Sequence, residues 1–330
     1  MTTLYVHEQG ALVRKKDNQV LVTRQGEVLR VIPLGKLEQV IVMGRGVQVS
    51  TALLVDLIGR GIPVTLTNQR GSRHYATLTA GPSRFAGLRT QQMQAVHDPA
   101  TALSLARAMI QAKLINQRFV LAATGWGAAA AAISQIDAAW QSLVGATTID
   151  MVRGYEGSAA AAYFGAWRHS LPSPWTFAGR AFYPPPDPVN ALLSFGYTMA
   201  LHDIITALNI TGLDMYLGVF HMVDPGRPSL ALDLLEEFRP ILVDRLVLDM
   251  LGTQAITREH FERPAQKIEA IYLNPVGRRI VVDRYEALMQ RVVKLPTGEQ
   301  TPLRRVMLLQ AQALARVIRG EQERYIGFTL

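Results

Sequence analysis

The chain has 330 residues, 49% of them apolar and 18% charged, which provides a sizeable core, excludes a disordered chain and suits two domains by length. It contains no cysteine, which excludes disulfides, thiolate metal sites and a cysteine nucleophile. The net charge of +8 is uneven, with twelve Lys and Arg against five Asp and Glu in residues 1–92 and near balance beyond. A basic front and a balanced back point to one domain that holds a phosphate backbone and another with a different task. A solvated face tuned for solubility would give the same pattern.

The first ~85 residues read as short strands. Leu4–Val6, Ala11–Val13, Val20–Val22, Val28–Ile32 and Val40–Met43 are apolar or β-branched runs, punctuated by Gly10, Asp17-Asn18 and Gln25-Gly26. Ser50 opens a helix, STALLVDLIGRG, closed by Gly59 and Gly61, and Ile62–Leu66 returns to a strand. From Asp98 the apolar spacing becomes helical, with Asp98 as N-cap and Pro99 in the first turn. One or two further helices follow over 134–169, then a Pro-rich connection over 170–190. Helices resume at Val189–Leu208, Ser229–Phe238 and Ile241–Leu251, the last two separated by Pro240, and again from Pro302 to Gly320. The expected fold is α+β: a small β-rich domain, 1–92, followed by a larger all-helical domain, 93–330. No apolar run reaches the ~18 residues of a membrane span. The segment MTTLYVHEQGALVRKK lacks the layout of a signal peptide. A cytoplasmic protein without a membrane partner is expected.

None of the seven histidines sits in an HExxH pair, and Walker A, GxGxxG and GxSxG sequences are absent. Two segments remain. In GYEGSAAAAYF, Glu156 lies among very small residues, which let another helix or a ligand come close; a packing helix with an exposed Glu reads the same way. In the second, His221 ends an apolar stretch, DPGRPS turns the chain, and Ser229 is placed to cap LALDLLEEF. That helix carries Asp233 and either Glu236 or Glu237 on one face. A core histidine with acids on a solvated face is the plainer alternative. The apolar setting of the acids argues against it, because buried carboxylates need a cation or a base. One histidine and two carboxylates suit Mg²⁺ or Mn²⁺ acting on a phosphodiester.

GYEGSAAAAYF, PPPDPVNALLSFGY, GLDMYLGVFH and GRPSLALDLLEEFRP, in this order, resemble the CRISPR adaptation integrase, the Cas-one family. STALLVDLIGRGIPV and LARAMIQAKLINQR extend the likeness over most of the chain. The resemblance implies Glu156, His221 and Glu236 as catalytic metal ligands, with Asp233 as an alternative ligand or a residue behind them. It implies an N-terminal domain for dimerisation and DNA contact, a homodimer, and a heterohexamer with a dimer of the smaller Cas-two protein. The implied function is integration of short double-stranded DNA into a CRISPR array by 3′-hydroxyl attack, with endonuclease action on branched DNA. A structure-specific nuclease without integration uses the same residues, and a non-enzymatic DNA-binding scaffold is the third expectation. Arg60, Arg84, Arg89, Arg227 and Arg239 are candidate phosphate contacts, each of which could equally be an ordinary surface or structural charge.

Overall fold

A computed structural model of the chain describes all residues except 1, 45, 70, 72–73, 80–84, 182–183 and 265–269. Arg84 and the Phe182-Tyr183 pair of the Pro-rich connection therefore lie outside the described residues. The chain divides into two compact units, Met1–Ala86 and Gly87–Leu330.

The first unit contains two four-stranded sheets. In one, β1 (Thr2–Val6), β5 (Leu37–Met43) and β7 (Val64–Thr67) run parallel, and β8 (His74–Leu78) closes the edge antiparallel. In the other, β4 (Glu27–Pro33), β3 (Gln19–Arg24) and β2 (Leu12–Lys16) form an antiparallel meander, and β6 (Gln48–Val49) joins β2 parallel. Alternating residues of both sheets, among them Val6, Val13, Val20, Val22, Val40 and Val42, bury their side chains with Leu53 and Leu57 of α1 (Thr51–Gly59). The Ser50 hydroxyl accepts the Leu53 N–H and starts α1, as its place before the apolar face predicts. Arg14, Lys15, Lys16 and Arg24 stay exposed.

The second unit is built on α2 (Ala86–His97), α3 (Pro99–Ala122), α4 (Ala129–Val144), α5 (Ile149–Ser170), α6 (Pro188–Thr211), α7 (Ser229–Phe238), α8 (Arg245–Gly252), α9 (Pro275–Met289) and α10 (Leu303–Ile318). Asp98, Thr148, Asp187 and Asn274 cap α3, α5, α6 and α9 through their side-chain oxygens. The unit is mostly helical rather than all-helical. Two short antiparallel ribbons, β9 (Phe261–Glu262) with β10 (Tyr272–Leu273) and β11 (Val292–Lys294) with β12 (Gln300–Pro302), interrupt the helices. They are too short to leave a period-2 pattern.

Helix α6 is long and apolar enough to cross a membrane, a property no single unbroken apolar run reveals. However, 78% of its most apolar window is buried inside the protein, so that apolarity is spent on the core. Pro240 does not separate two helices. A π-helical turn, Arg239–Asp244, carries α7 directly into α8, and the wider turn accommodates a residue that cannot donate a backbone hydrogen bond.

Candidate active site

Four elements of the second unit meet at one buried cluster of charge. Helix α3 contributes Lys113, α5 contributes Glu156, the connection after α6 contributes His221, and α7 contributes Asp233 and Glu236. The Lys113 ammonium donates at 2.5 Å to both Glu156 and Glu236. His221 Nε2 lies 3.8 Å from Glu236 Oε1, and Arg239 Nε lies 3.1 Å from the same oxygen. The three residues that the sequence singles out are thus brought together around Glu236, which shares the Lys113 cation with Glu156 through one oxygen and faces His221 with the other.

Asp233 stands behind this cluster. It is fully buried, and its two oxygens accept four N–H groups: the backbones of Val219 (2.6 Å), Phe220 (3.0 Å) and His221 (2.8 Å), and His221 Nδ1 (2.7 Å). A carboxylate can only accept, so Nδ1 carries a proton, and the Nε2 edge of the ring is turned towards Glu236. A histidine fixed by a carboxylate in this way is the usual arrangement of a metal-binding imidazole. Gly218 makes the approach possible: a Cβ there would stand 2.7 Å from Ser229 and 2.8 Å from Asp233 Oδ2. Ser229 does not cap α7. Its buried hydroxyl donates to the Met222 carbonyl at 2.8 Å and ties the turn back.

The electrostatics follow from burial against partners. Burial alone would raise Glu236, but Arg239, Lys113 and His221 outweigh it and hold its carboxyl at about 2. Burial works against the charge of Lys113, and Glu236 and Glu156 overcome it, so the ammonium is held charged. Glu237, the next residue along, faces the other way. It is buried among Tyr325, Gln310 and the Phe328 N–H, without a cation, and burial pushes it up to about 7. The choice between the two adjacent acids, open by helical spacing, is resolved by their surroundings: Glu236 faces His221 and Glu237 does not.

The small residues of this run divide between two faces: Ala159 is fully buried, and α5 packs against α3 and α4. Gly154, Gly157 and Ser158 are exposed, and a Cβ added at either glycine meets nothing within 4 Å. That face of α5 is open, whereas Glu156 lies on the adjoining stripe with the buried Val152, Ala159 and Tyr163.

The candidate phosphate contacts are scattered. Arg60 pairs with Asp56 and Asn18 on the surface of the first unit. Arg89 is half-buried and donates to the Gly212 carbonyl at the end of α6. Arg227 is exposed in the turn after His221. Arg239 belongs to the cluster itself and lies 4.6 Å over the Tyr197 ring. Lys113 is the residue that sequence reading misses. A lysine on an amphipathic helix reads as solvated, and only the packing of α3 against α5 and α7 turns it inward.

Among the described residues, no three His, Asp or Glu side chains stand ready-made around a metal position. The donor chemistry nevertheless fits a hard divalent ion: two carboxylates already drawn to one cation, the Lys113 ammonium, and an imidazole nitrogen 3.8 Å from the second oxygen of Glu236.

Comparison with known proteins agrees with the four motifs. The family model described as CRISPR associated protein Cas1 matches residues 4–287. The chain is 34% identical to the CRISPR-associated endonuclease Cas1 3 of Thermus thermophilus, covering 99% of this chain and 97% of that one. It is 36% identical to the CRISPR-associated endonuclease Cas1 2 of Rhodospirillum rubrum, covering 98% and 97%. Its fold is that of a casposase bound to integration product, with TM-score 0.84, 20% identity and coverage of 99% and 93%. It is also that of a chain in a Cas6-RT-Cas1–Cas2 complex, with TM-score 0.83, 23% identity and coverage of 99% and 36%. The chain belongs to the CRISPR-associated Cas1 family.

Proposed function

We propose that the chain is a metal-dependent DNA integrase of CRISPR adaptation. It joins the 3′-hydroxyls of a short duplex to phosphodiesters at the borders of a CRISPR repeat, and its endonuclease action on branched DNA is the same chemistry run in the opposite direction. The observation that carries this reading is that Glu156 and Glu236 converge on one cation, the Lys113 ammonium, while His221 Nε2 faces the second oxygen of Glu236 at 3.8 Å. Family membership and the fold shared with a casposase bound to integration product support it.

Glu156, His221 and Glu236 would hold Mg²⁺ or Mn²⁺, which supplies charge stabilisation at the reacting phosphate and acidifies the attacking hydroxyl. Asp233, with both oxygens committed to four donors, serves as the residue that orients His221 rather than as a ligand. Lys113 and Arg239 keep positive charge beside the carboxylates and favour entry of a phosphate. Arg60, Arg84, Arg89 and Arg227 are proposed contacts to duplex phosphates, together with the exposed basic residues of the first unit. The proposed assembly is a homodimer that flanks a Cas2 dimer in a heterohexamer, supported by the fold shared with the solved Cas1–Cas2 complex.

The test is strand transfer. A labelled short duplex and a plasmid bearing a leader and repeat are incubated with the protein and Mn²⁺, with and without a Cas2 partner. A joined product that needs the 3′-hydroxyl and is lost in Glu156→Ala and His221→Ala supports the integrase. Cleavage without joining, the reading favoured by the relatives' endonuclease names, would replace it with a nuclease. DNA binding without metal-dependent chemistry would leave only a scaffold.

A further inference from the structure

Residues 325–330 form neither helix nor strand, yet they are held by hydrogen bonds to buried side chains. A segment without helix or strand stays mobile unless something ties it down. Here a buried carboxylate and a buried amide are committed to the task. Glu237, fully buried, accepts the Tyr325 hydroxyl at 2.5 Å, the Phe328 N–H and the Gln310 amide at 3.1 Å. Asn116, also fully buried, donates to the Phe328 carbonyl at 2.8 Å and accepts the Leu330 N–H at 3.1 Å. The same Asn116 amide donates to the Glu237 carbonyl at 2.7 Å, so one side chain binds α3, α7 and the tail together. The Phe328 ring stacks on Phe238 with centroids 6.0 Å apart.

The seat of this segment matters. On α3 it lies along Ala108, Ala112 and Asn116, spaced four residues apart on one stripe. A Cβ at Gly327 would stand 2.5 Å from Ala112 Cβ, 3.0 Å from the Ala108 carbonyl and 2.9 Å from Glu237 Oε2. Lys113 directly follows Ala112, and Glu236 directly precedes Glu237. The tail therefore grips α3 and α7 beside the two residues that form the 2.5 Å ion pair of the candidate site.

We propose that Tyr325–Leu330 is a latch that sets the spacing of α3 and α7 and thereby positions Lys113 and Glu236, with Glu237 and Asn116 as its catches. The inference rests on reading Glu156, His221 and Glu236 as one metal-holding site, and its test separates the two. Gly327→Val would lift the tail by steric conflict, and Tyr325→Phe would remove one hydrogen bond to the Glu237 catch with little risk to folding. Val281→Ala, in the buried face of α9, serves as a control matched for loss of thermal stability. Each protein is followed by Mn²⁺ titration calorimetry and by hydrogen exchange.

The latch predicts that Gly327→Val weakens Mn²⁺ binding about tenfold or more and Tyr325→Phe about threefold, with faster exchange concentrated in 108–117 and 229–238. Val281→Ala should leave the affinity within twofold. Equal affinity in the latch variants and the control, or exchange raised evenly over the unit, would reduce the tail to ordinary core filling and overturn the latch. If the wild-type protein binds no Mn²⁺, the metal reading fails. The latch then stands on localised exchange and falls without it.

Discussion

The two sides of α7 make the sharpest contrast in the molecule. Glu236 and Glu237 are consecutive and both buried. One side meets Lys113, Arg239 and His221, and its carboxyl is held at about 2. The other meets a phenol, an amide and a backbone N–H, and its carboxyl rises to about 7. Burial is common to both, so the sign of the shift comes from the partners. One helix thus presents a permanently charged acid to the chemistry and an acid near neutrality to the scaffold.

Removing the charged side should have the largest effect. Glu236→Ala leaves Lys113 and Arg239 buried with one anion fewer. The expected loss is about 3–5 kcal/mol of stability in denaturant unfolding, together with loss of strand transfer. An unchanged unfolding midpoint would mean that the cluster is wetter and weaker than its geometry implies. Next is Asp233→Asn, which keeps the shape but removes the charge that fixes the His221 tautomer. Mn²⁺ affinity should fall about 10–100-fold, measured by calorimetry. Wild-type affinity would show that the orientation of His221 does not depend on this carboxylate.

The pH dependence separates the two glutamates. Glu237 is protonated in both folded and unfolded states below its ordinary 4.5. Between 4.5 and about 7 only the unfolded chain releases that proton, so stability falls as pH rises through this window and levels off above it. The contribution is about 3 kcal/mol at most, and Glu237→Gln should abolish it. Glu236 behaves in the opposite sense: its contribution is complete above 4.5 and is lost as pH falls from there towards about 2. Glu236→Gln should flatten only that acid limb. Thermal melts of the three proteins across pH would show both effects, and a single shared limb would merge the two sides of α7 into one environment.

The smallest effect is expected in the first unit. Arg60 is an exposed partner of Asp56, a kind of surface pair that contributes little to stability. Arg60→Ala should leave stability nearly unchanged. If Arg60 contacts one phosphate, the slope of log affinity for duplex DNA against log salt should drop by about 1. An unchanged slope would remove Arg60 from the proposed contacts.

Parts of this organisation were written plainly in the sequence. Asp98-Pro99 announces α3, Ser50 announces α1, and the valine-rich runs become the paired strands of both sheets. The parallel pairing of β1, β5 and β7 was not legible, since a short apolar run does not state which neighbour it will join. The ligand candidates were legible because acids in an apolar helix demand a partner, and the family motifs named which ones. Lys113 was not, because its role exists only once three helices converge. Nor was the latch: Tyr325, Gly327 and Phe328 carry no pattern of their own, and their partners lie far away on α3 and α7.

The central claim is that Glu156, His221 and Glu236 hold one divalent ion. Pulsed electron paramagnetic resonance of the protein with one equivalent of Mn²⁺ tests it most directly. The account predicts a bound ion with nitrogen coupling from a single imidazole, the coupling lost in His221→Ala and the binding lost in Glu156→Ala and Glu236→Ala. A bound ion without nitrogen coupling, or one unaffected by these substitutions, would contradict it.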